Sequence, residues 1–305
     1  MEIITHDEVM SRLSPAEAVD ALRDALAAGF DPESDLPRTK VPLAHGEMHL
    51  MPSTLPHVSG VKILAIQPAD HDPLLPLIQG QYLLFDGPTL TPTTLIDGAA
   101  LTTLRTPAVS LAGVKDALAG GNGPLTAVIV GTGTQGCGHA AALESVFRSV
   151  RPVEITFVGR SEPEGLGYPW AAAGSPEATE AVAAAELVVC ATTSLEPVVD
   201  LQDVRRDSVV VAVGSHTTDA REIGSDLMGA AHVIVEDGEV ALREAGDVTL
   251  AIADGALQVE DLIPVRDVVT GTVSLTRDRP VVFKTVGMPW EDLVVADAVR
   301  RAGEV

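Results

Sequence analysis

Aromatic side chains are scarce in this chain of 305 residues, at 3% of the total. Hydrophobic residues reach 46%, so a core of ordinary extent must be built from Val, Leu, Ile and Ala. Cysteine is nearly absent too. Cys137 and Cys190 are the only two, which excludes a disulfide framework and the small stapled folds that depend on one. Cys190 lies in an apolar run and reads as core; Cys137 reads as a packing residue at the start of a helix. Basic residues are few, 20 Lys and Arg against 43 Asp and Glu, for a net charge of −23. That imbalance argues against nucleic acid or an anionic membrane as partner, because the overall field repels phosphates. No basic n-region precedes an apolar h-region at the start, and no apolar run reaches about 18 residues, so a soluble, cytoplasmic protein is expected.

What is present divides the chain in two, as its length allows. Glu2-Ile3-Ile4 predicts a short strand. Ser14-Pro15-Ala16-Glu17 predicts a helix start, with Ser14 as N-cap, Pro15 first in the helix and Glu17 in its first turn. Strand-like pieces follow at 39–41, 48–51, 60–64 and 81–85, and Asp86-Gly87 signals a hairpin. Residues 97–119 read as helix, and Gly120-Gly121-Asn122-Gly123-Pro124 as a boundary. Beyond it, strands expected at 126–130, 153–158, 186–191, 208–213, 232–236 and 280–284 alternate with helices, the pattern of a parallel, doubly wound sheet. The stretch 162–185 is rich in Gly and Pro before one Ala-rich helix, so a loop is expected to replace the first crossover helix. The tail at 291–301 reads as a helix returning to the first domain. The fold expected is α/β. A Rossmann-type doubly wound parallel sheet occupies 121–284, trimmed after its second strand; an α+β substrate and dimerisation domain occupies 1–120, to which 285–305 return.

The chemistry is most legible at Thr126-Ala-Val-Ile-Val-Gly131-Thr132-Gly133-Thr134-Gln135-Gly136. A β-branched run enters G-x-G-x-x-G, and a helix-compatible segment follows. Gly131 permits the tight turn, Gly133 lets the backbone approach a pyrophosphate, and Gly136 lets helix and strand pack closely. The helix N-terminus, beginning at Thr134 and Gln135, offers N–H groups and a positive dipole to the phosphates. The second strand ends in Gly159-Arg160-Ser161, where a NAD site carries an acid. Arg160 pairs with a 2′-phosphate, which favours NADP(H) over NAD(H); its other reading is stacking on adenine or facing solvent. Upstream, Arg38, Lys62 and Arg105 are isolated cations in apolar or Pro-rich settings. A lone buried cation is costly without a partner. The three therefore suggest either a bound carboxylate, or surface charges and internal salt bridges with the chain's many acids.

Taken together, several segments resemble the ornithine cyclodeaminase/μ-crystallin family, in its order and over nearly the whole chain. They are Leu36-Pro-Arg38, His49-Leu-Met-Pro52, Lys62, Leu104-Arg105-Thr106, the glycine loop, Ala191-Thr-Thr-Ser194, Val213-Gly214-Ser215, Arg221-Glu222, Glu244-Ala-Gly-Asp247 and Val282-Phe-Lys-Thr-Val-Gly287. The resemblance implies that Arg38, Lys62 and Arg105 grip a substrate carboxylate in a cleft between the domains, with Lys62 able to donate a proton. It implies that Thr106, Gln135, Thr192, Thr193, Ser194 and Val213 line the cofactor cleft; Arg160 and Ser161, read from the end of the second strand, and Lys284 and Gly287 of the matching segment are assigned to cofactor binding with them. It also implies a homodimer built through the first domain. Two positions depart from the ornithine-cyclising members: His216 stands where they carry an Asp, and His49 where they carry a Glu. Both changes remove a carboxylate able to hold a cationic amine. His216 reads either as an acid or base near neutral pH, or as a residue that orients the nicotinamide loop or binds a backbone carbonyl. His49 is assigned to substrate binding. No third ligand makes a metal site of the two histidines, and no nucleophile elbow is present.

The expected function is transfer of a hydride between NAD(P)H and the C=N bond of an α-imino or amino acid, as a ketimine or cyclic-imine reductase or an amino-acid dehydrogenase. The alternatives are a cyclodeaminase that uses NAD internally and releases ammonia, and a non-catalytic NADPH-binding protein of the μ-crystallin kind.

Overall fold

The computed structural model describes residues 1–68, 74–121 and 123–304. The chain divides into two compact units, Met1–Val109 with Gly287–Val305, and Ser110–Val286. The division falls inside a helix, some residues before the glycine-rich boundary that composition marks at 120–124.

The first unit opens with β1 (Glu2–Ile4), α1 (His6–Arg12) and α2 (Pro15–Ala27). The start of α2 follows the sequence signal: Glu17 N donates to Ser14 Oγ, and Glu17 Oε2 accepts from Ser14 N at 2.8 Å, a capping box of about 1 kcal/mol. Helix α1 escapes the sequence reading, which runs strand directly into α2. There follow β2 (Thr39–Pro42), β3 (Glu47–Leu55), β4 (Val58–Ile66), β5 (Ile78–Asp86), β6 (Pro92–Asp97) and α3 (Gly98–Leu118). Asp86-Gly87 does mark a hairpin, but the connection runs over 87–91. It is tied by Asp86 Oδ1, which accepts from Thr89 N and Oγ1. The six strands form one sheet in the order β1-β6-β5-β4-β3-β2, antiparallel except for β1 beside β6. Met51, Lys62, Tyr82 and Ile96 stand opposite one another across four strands, on the buried face.

The second unit holds, after the end of α3, β7 (Leu125–Val130), α4 (Thr134–Phe147), β8 (Val153–Gly159), β9 (Trp170–Ala172), α5 (Pro176–Ala184), β10 (Leu187–Cys190) and β11 (Val209–Ala212). It continues with α6 (Ser225–Ala230), β12 (His232–Val235), α7 (Gly238–Glu244), α8 (Gly246–Ala253), β13 (Leu262–Pro264), α9 (Val265–Val269) and β14 (Val281–Lys284). Every strand is parallel, in the order β13-β12-β14-β11-β10-β7-β8-β9. Strands β10 and β11 are buried at every residue, as a sheet covered on both faces requires. No helix lies between β8 and β9, so the unit is trimmed as expected. The sequence reading misses β9 and β13. The chain closes with α10 (Pro289–Ala302), which belongs to the first unit, packs on α2, β3, β4 and β5, and is buried at every residue from Pro289 to Val299. Among the described residues no helix is long and apolar enough to cross a membrane.

Candidate active site

The strand order reverses between β7 and β10, and open parallel sheets bind ligands in the crevice outside such a reversal. The three glycines of the loop are set apart by what a Cβ would meet. Gly131 has φ +116° and its Cβ would strike Ala191 O; its N–H donates to Val158 O at 2.9 Å. Gly136 lies so close to the turn that a Cβ would strike Gly131 O. Gly133, the N-cap of α4, has nothing within 4 Å of its Cβ position. Two glycines thus close the turn and one leaves a face open, at a helix N-terminus with no acidic residue in its first turn. That arrangement suits a pyrophosphate, which needs free N–H groups and close backbone approach. A cleft of about 410 Å³ follows, lined by Gly131, Gly133, Arg160, Thr192, Thr193 and Ser194 among others. Arg160 is exposed at its rim. Thr134, Gln135, Ser161 and Val213 lie outside this lining; Val213 is half-buried and donates from N to Cys190 O at 2.9 Å.

Beneath the cleft runs a buried charge network that sequence reasoning leaves without a role. Glu222 is 0% exposed. Its Oε1 accepts from Thr192 N at 2.7 Å and Thr192 Oγ1 at 2.8 Å, and its Oε2 from Gly214 N at 2.6 Å. One carboxylate thus ties together the segments that follow β10 and β11. Burial raises the Glu222 carboxyl above its ordinary range, although Lys284 and these donors pull the other way. Asp247 Oδ1 accepts from Glu222 N and Ile223 N, and its Oδ2 from Ser215 Oγ at 2.6 Å and Lys284 Nζ at 3.0 Å. Burial opposes its ionisation, but Lys284, Ser215 and the Ile223 N–H outweigh it and hold the carboxyl below its usual range. Lys284, expected near the cofactor, is placed inside this network. Its side chain is fully buried, and its ammonium is engaged by Asp247, Ser215 O and Ser215 Oγ. A second buried link braces α4. His139 Nδ1 lies 2.7 Å from Gln135 O, and its Nε2 2.9 Å from Ser110 Oγ. Burial lowers His139 to about 4, so the ring is neutral, donating to the carbonyl and accepting from the hydroxyl.

The first unit brings the three cations together. Arg38 immediately precedes β2, Lys62 is on β4 and Arg105 on α3. Arg38 Nη2 donates to Gly287 O at 2.5 Å, while the Arg105 guanidinium fills the space where a Gly287 Cβ would stand. Gly287, at φ +78°, is thus the backbone against which both guanidiniums pack, in the first unit. The internal salt bridges left open by the sequence are real. Arg105 Nη1 donates to Glu291 Oε2 at 2.8 Å, Arg105 Nε lies 3.2 Å from Asp292 Oδ1, and Lys62 Nζ lies 2.7 Å from Asp292 Oδ2. Burial pushes the Lys62 ammonium down; Asp292 opposes this, Arg105 and Arg38 add to it, and the result is about 8. Glu291 and Asp292 carry a signal that was available. They sit on a helix whose apolar residues occupy every face, and such a helix must be buried all round, its acids paired.

Three further expected residues remain to be placed. His49 is buried on β3, with Nε2 2.8 Å from Glu47 Oε1 on the same strand face. The carboxylate lost at position 49 therefore has a counterpart two residues earlier. Thr106 is buried on α3 next to Arg105 in sequence. His216 is exposed beyond β11, in the second unit.

Comparison with known proteins places the chain in a family. The sequence model of the ornithine cyclodeaminase/mu-crystallin family matches residues 2–303. A Delta(1)-pyrroline-2-carboxylate/Delta(1)-piperideine-2-carboxylate reductase from Azospirillum brasilense is 33% identical, over 87% of this chain and 86% of that one. The ketimine reductase mu-crystallin of Rattus norvegicus is 28% identical, over 97% and 95%. The structure of Thermococcus litoralis Delta(1)-pyrroline-2-carboxylate reductase in complex with NADH and L-proline matches with a TM-score of 0.85 at 24% identity, over 100% of this chain and 98% of that one.

Proposed function

The chain belongs to the ornithine cyclodeaminase/mu-crystallin family, and we propose that it uses NAD(P)H to reduce the C=N bond of a small α-imino acid. The observation that carries this reading is the convergence of Arg38, Lys62 and Arg105 from three separate segments onto Gly287 and Asp292. A planar carboxylate suits the guanidinium forks, and a buried ammonium suits a proton donor. The relatives at 28% and 33% identity are named as reductases of ketimines and of cyclic imino carboxylates.

In this reading Arg38 and Arg105 orient the carboxylate and Lys62 protonates nitrogen. The nicotinamide, when bound, supplies the hydride that the imine carbon receives. The C=N π bond breaks, one C–H and one N–H bond form, and water restores the lysine proton. The chain itself contributes orientation and charge placement, since the redox chemistry belongs to the cofactor. His216 is the second candidate proton donor. Arg160 at the cleft rim supports a preference for NADP(H). The outer face of the six-stranded sheet supports a homodimer: Pro52, Val61, Leu83 and Leu95 stand in one row across it and Leu50 and Ile63 in the next, none fully buried. An apolar face of this kind calls for a cover. Two free cysteines, one exposed, support a cytoplasmic location.

The test is oxidation of NADPH and of NADH in the presence of cyclic imino acids, and of 2-oxo acids with an amine. Cofactor consumption matched by amino-acid product is the expected result. Ammonia release from ornithine or lysine without net cofactor change would replace this reading with a cyclodeaminase. Tight NADPH binding without turnover on any of these compounds would replace it with a binding protein.

A further inference from the structure

We propose that Asp292 is a positioning residue for Lys62: its carboxylate aims the ammonium and keeps on it the proton that the reduced nitrogen receives. The inference rests on the reading of Lys62 as proton donor.

The geometry leaves Asp292 little freedom. It lies in the first turn of α10, where the helix dipole favours a negative charge. The start of that helix is fixed by Asp35, whose Oδ2 accepts from Trp290 N at 2.8 Å and whose Oδ1 accepts from Ser53 Oγ at 2.7 Å. Asp292 itself is 0% exposed, on a helix buried at every residue from Pro289 to Val299. Its two oxygens face two cations from different elements, Lys62 Nζ at 2.7 Å and Arg105 Nε at 3.2 Å. The ammonium is therefore drawn towards an oxygen held on a fully buried residue.

The charged and titratable groups around Lys62 divide cleanly. Arg105 on α3 and Arg38 ahead of β2 repel its proton, as burial does, and Asp292 on α10 is the group that retains it. Tyr82, directly opposite on β5, stays neutral because burial and the nearby acids raise its phenol. Lys62 is thereby held near 8, where an ammonium gives up a proton readily yet is still charged at neutral pH. Without Asp292, burial and the two guanidiniums would all favour loss of that proton.

The chain contains only four lysines, Lys40, Lys62, Lys115 and Lys284, so NMR of protein labelled at lysine 13Cε resolves Lys62 directly, with Lys62→Arg to assign it. Asp292→Asn is expected to lower the Lys62 midpoint by about one pH unit or more. The alkaline limb of kcat for imine reduction should fall by the same amount, with KM for the cofactor unchanged. An unmoved Lys62 midpoint in folded D292N protein would overturn the proposal, as would an alkaline limb that moves while Lys62 does not. Should D292N not fold, Asp292→Glu carries the test. It keeps the charge but redirects it, so Lys62 should titrate near its native midpoint while kcat drops about tenfold or more; an undiminished kcat overturns the proposal. Failure of the unaltered protein to reduce any imine would sink the proposed function instead, and the NMR comparison would still decide the role of Asp292.

Discussion

Each unit buries one lysine almost completely, Lys62 at 2% exposure and Lys284 at 1%, and the two are held in opposite ways. Lys284 meets Asp247 together with Ser215 O and Ser215 Oγ, and Asp247 is itself fixed by two backbone N–H groups. Lys62 shares its carboxylate with Arg105, with Arg38 also close enough to weaken its hold on the proton. The first lysine is a strut under the strand ends that line the nucleotide cleft. The second is kept short of compensation, as the proposed proton donor requires. Burial alone does not tell a structural lysine from a working one; what matters is whether its carboxylate is shared.

Substituting each lysine by methionine tests that contrast most strongly. Lys284→Met leaves Asp247 without its cation and should cost about 3–5 kcal/mol of stability in urea unfolding. Lys62→Met leaves Asp292 paired with Arg105, so its stability loss should be less than half as large, while turnover falls about 10²–10⁴-fold. Equal losses of stability would break the comparison. Arg105→Lys keeps the charge facing Glu291 but loses the fork; kcat/KM for the imino acid should drop about 10- to 100-fold with cofactor affinity retained. Equal loss of both would remove Arg105 from carboxylate binding.

The second unit also makes a pH prediction. His139 titrates near 4 in the fold against 6.5 in the unfolded chain. Between those values the unfolded chain takes up a proton that the folded one refuses, so stability is lost as pH falls through that window. The loss should be roughly 2 kcal/mol between pH 7.5 and 5. His139→Gln should flatten that slope, and an unchanged slope would show that the proton uptake lies elsewhere. The smallest effect concerns Arg160, which is exposed: Arg160→Asp should shift the NADPH/NADH ratio about tenfold toward NADH, about 1.4 kcal/mol. An unchanged ratio would leave the ribose phosphate without this reader.

The legible parts of the fold are those whose signal is local. The capping box at Ser14 and Glu17, the run into Gly131 and the buried strands β10 and β11 each declare themselves within a few residues. Among the strands, β6 is signalled only through the hairpin at Asp86-Gly87; β9 and β13, missed outright, have three residues each, too short for a two-residue period to show. Lys284 and Gly287 show a different limit of sequence reading. Adjacent residues of a strand point to opposite faces, so membership of one motif does not say which way a side chain turns. Lys284 turns into the core beneath Ser215, and Gly287 lies in the other unit, against Arg105.

The sequence by itself determined the cofactor class, because a phosphate cradle is a strand end, a turn and a helix start, and all three are written in consecutive residues. It also identified the three cations as out of place. Tertiary structure alone decided their partners. Glu291 lies 186 residues from Arg105, and Asp292 reaches Lys62 only because α10 returns to pack on β4. A charge acts through space and not along the chain, so which acid restrains a buried cation is fixed only when the chain has folded back on itself.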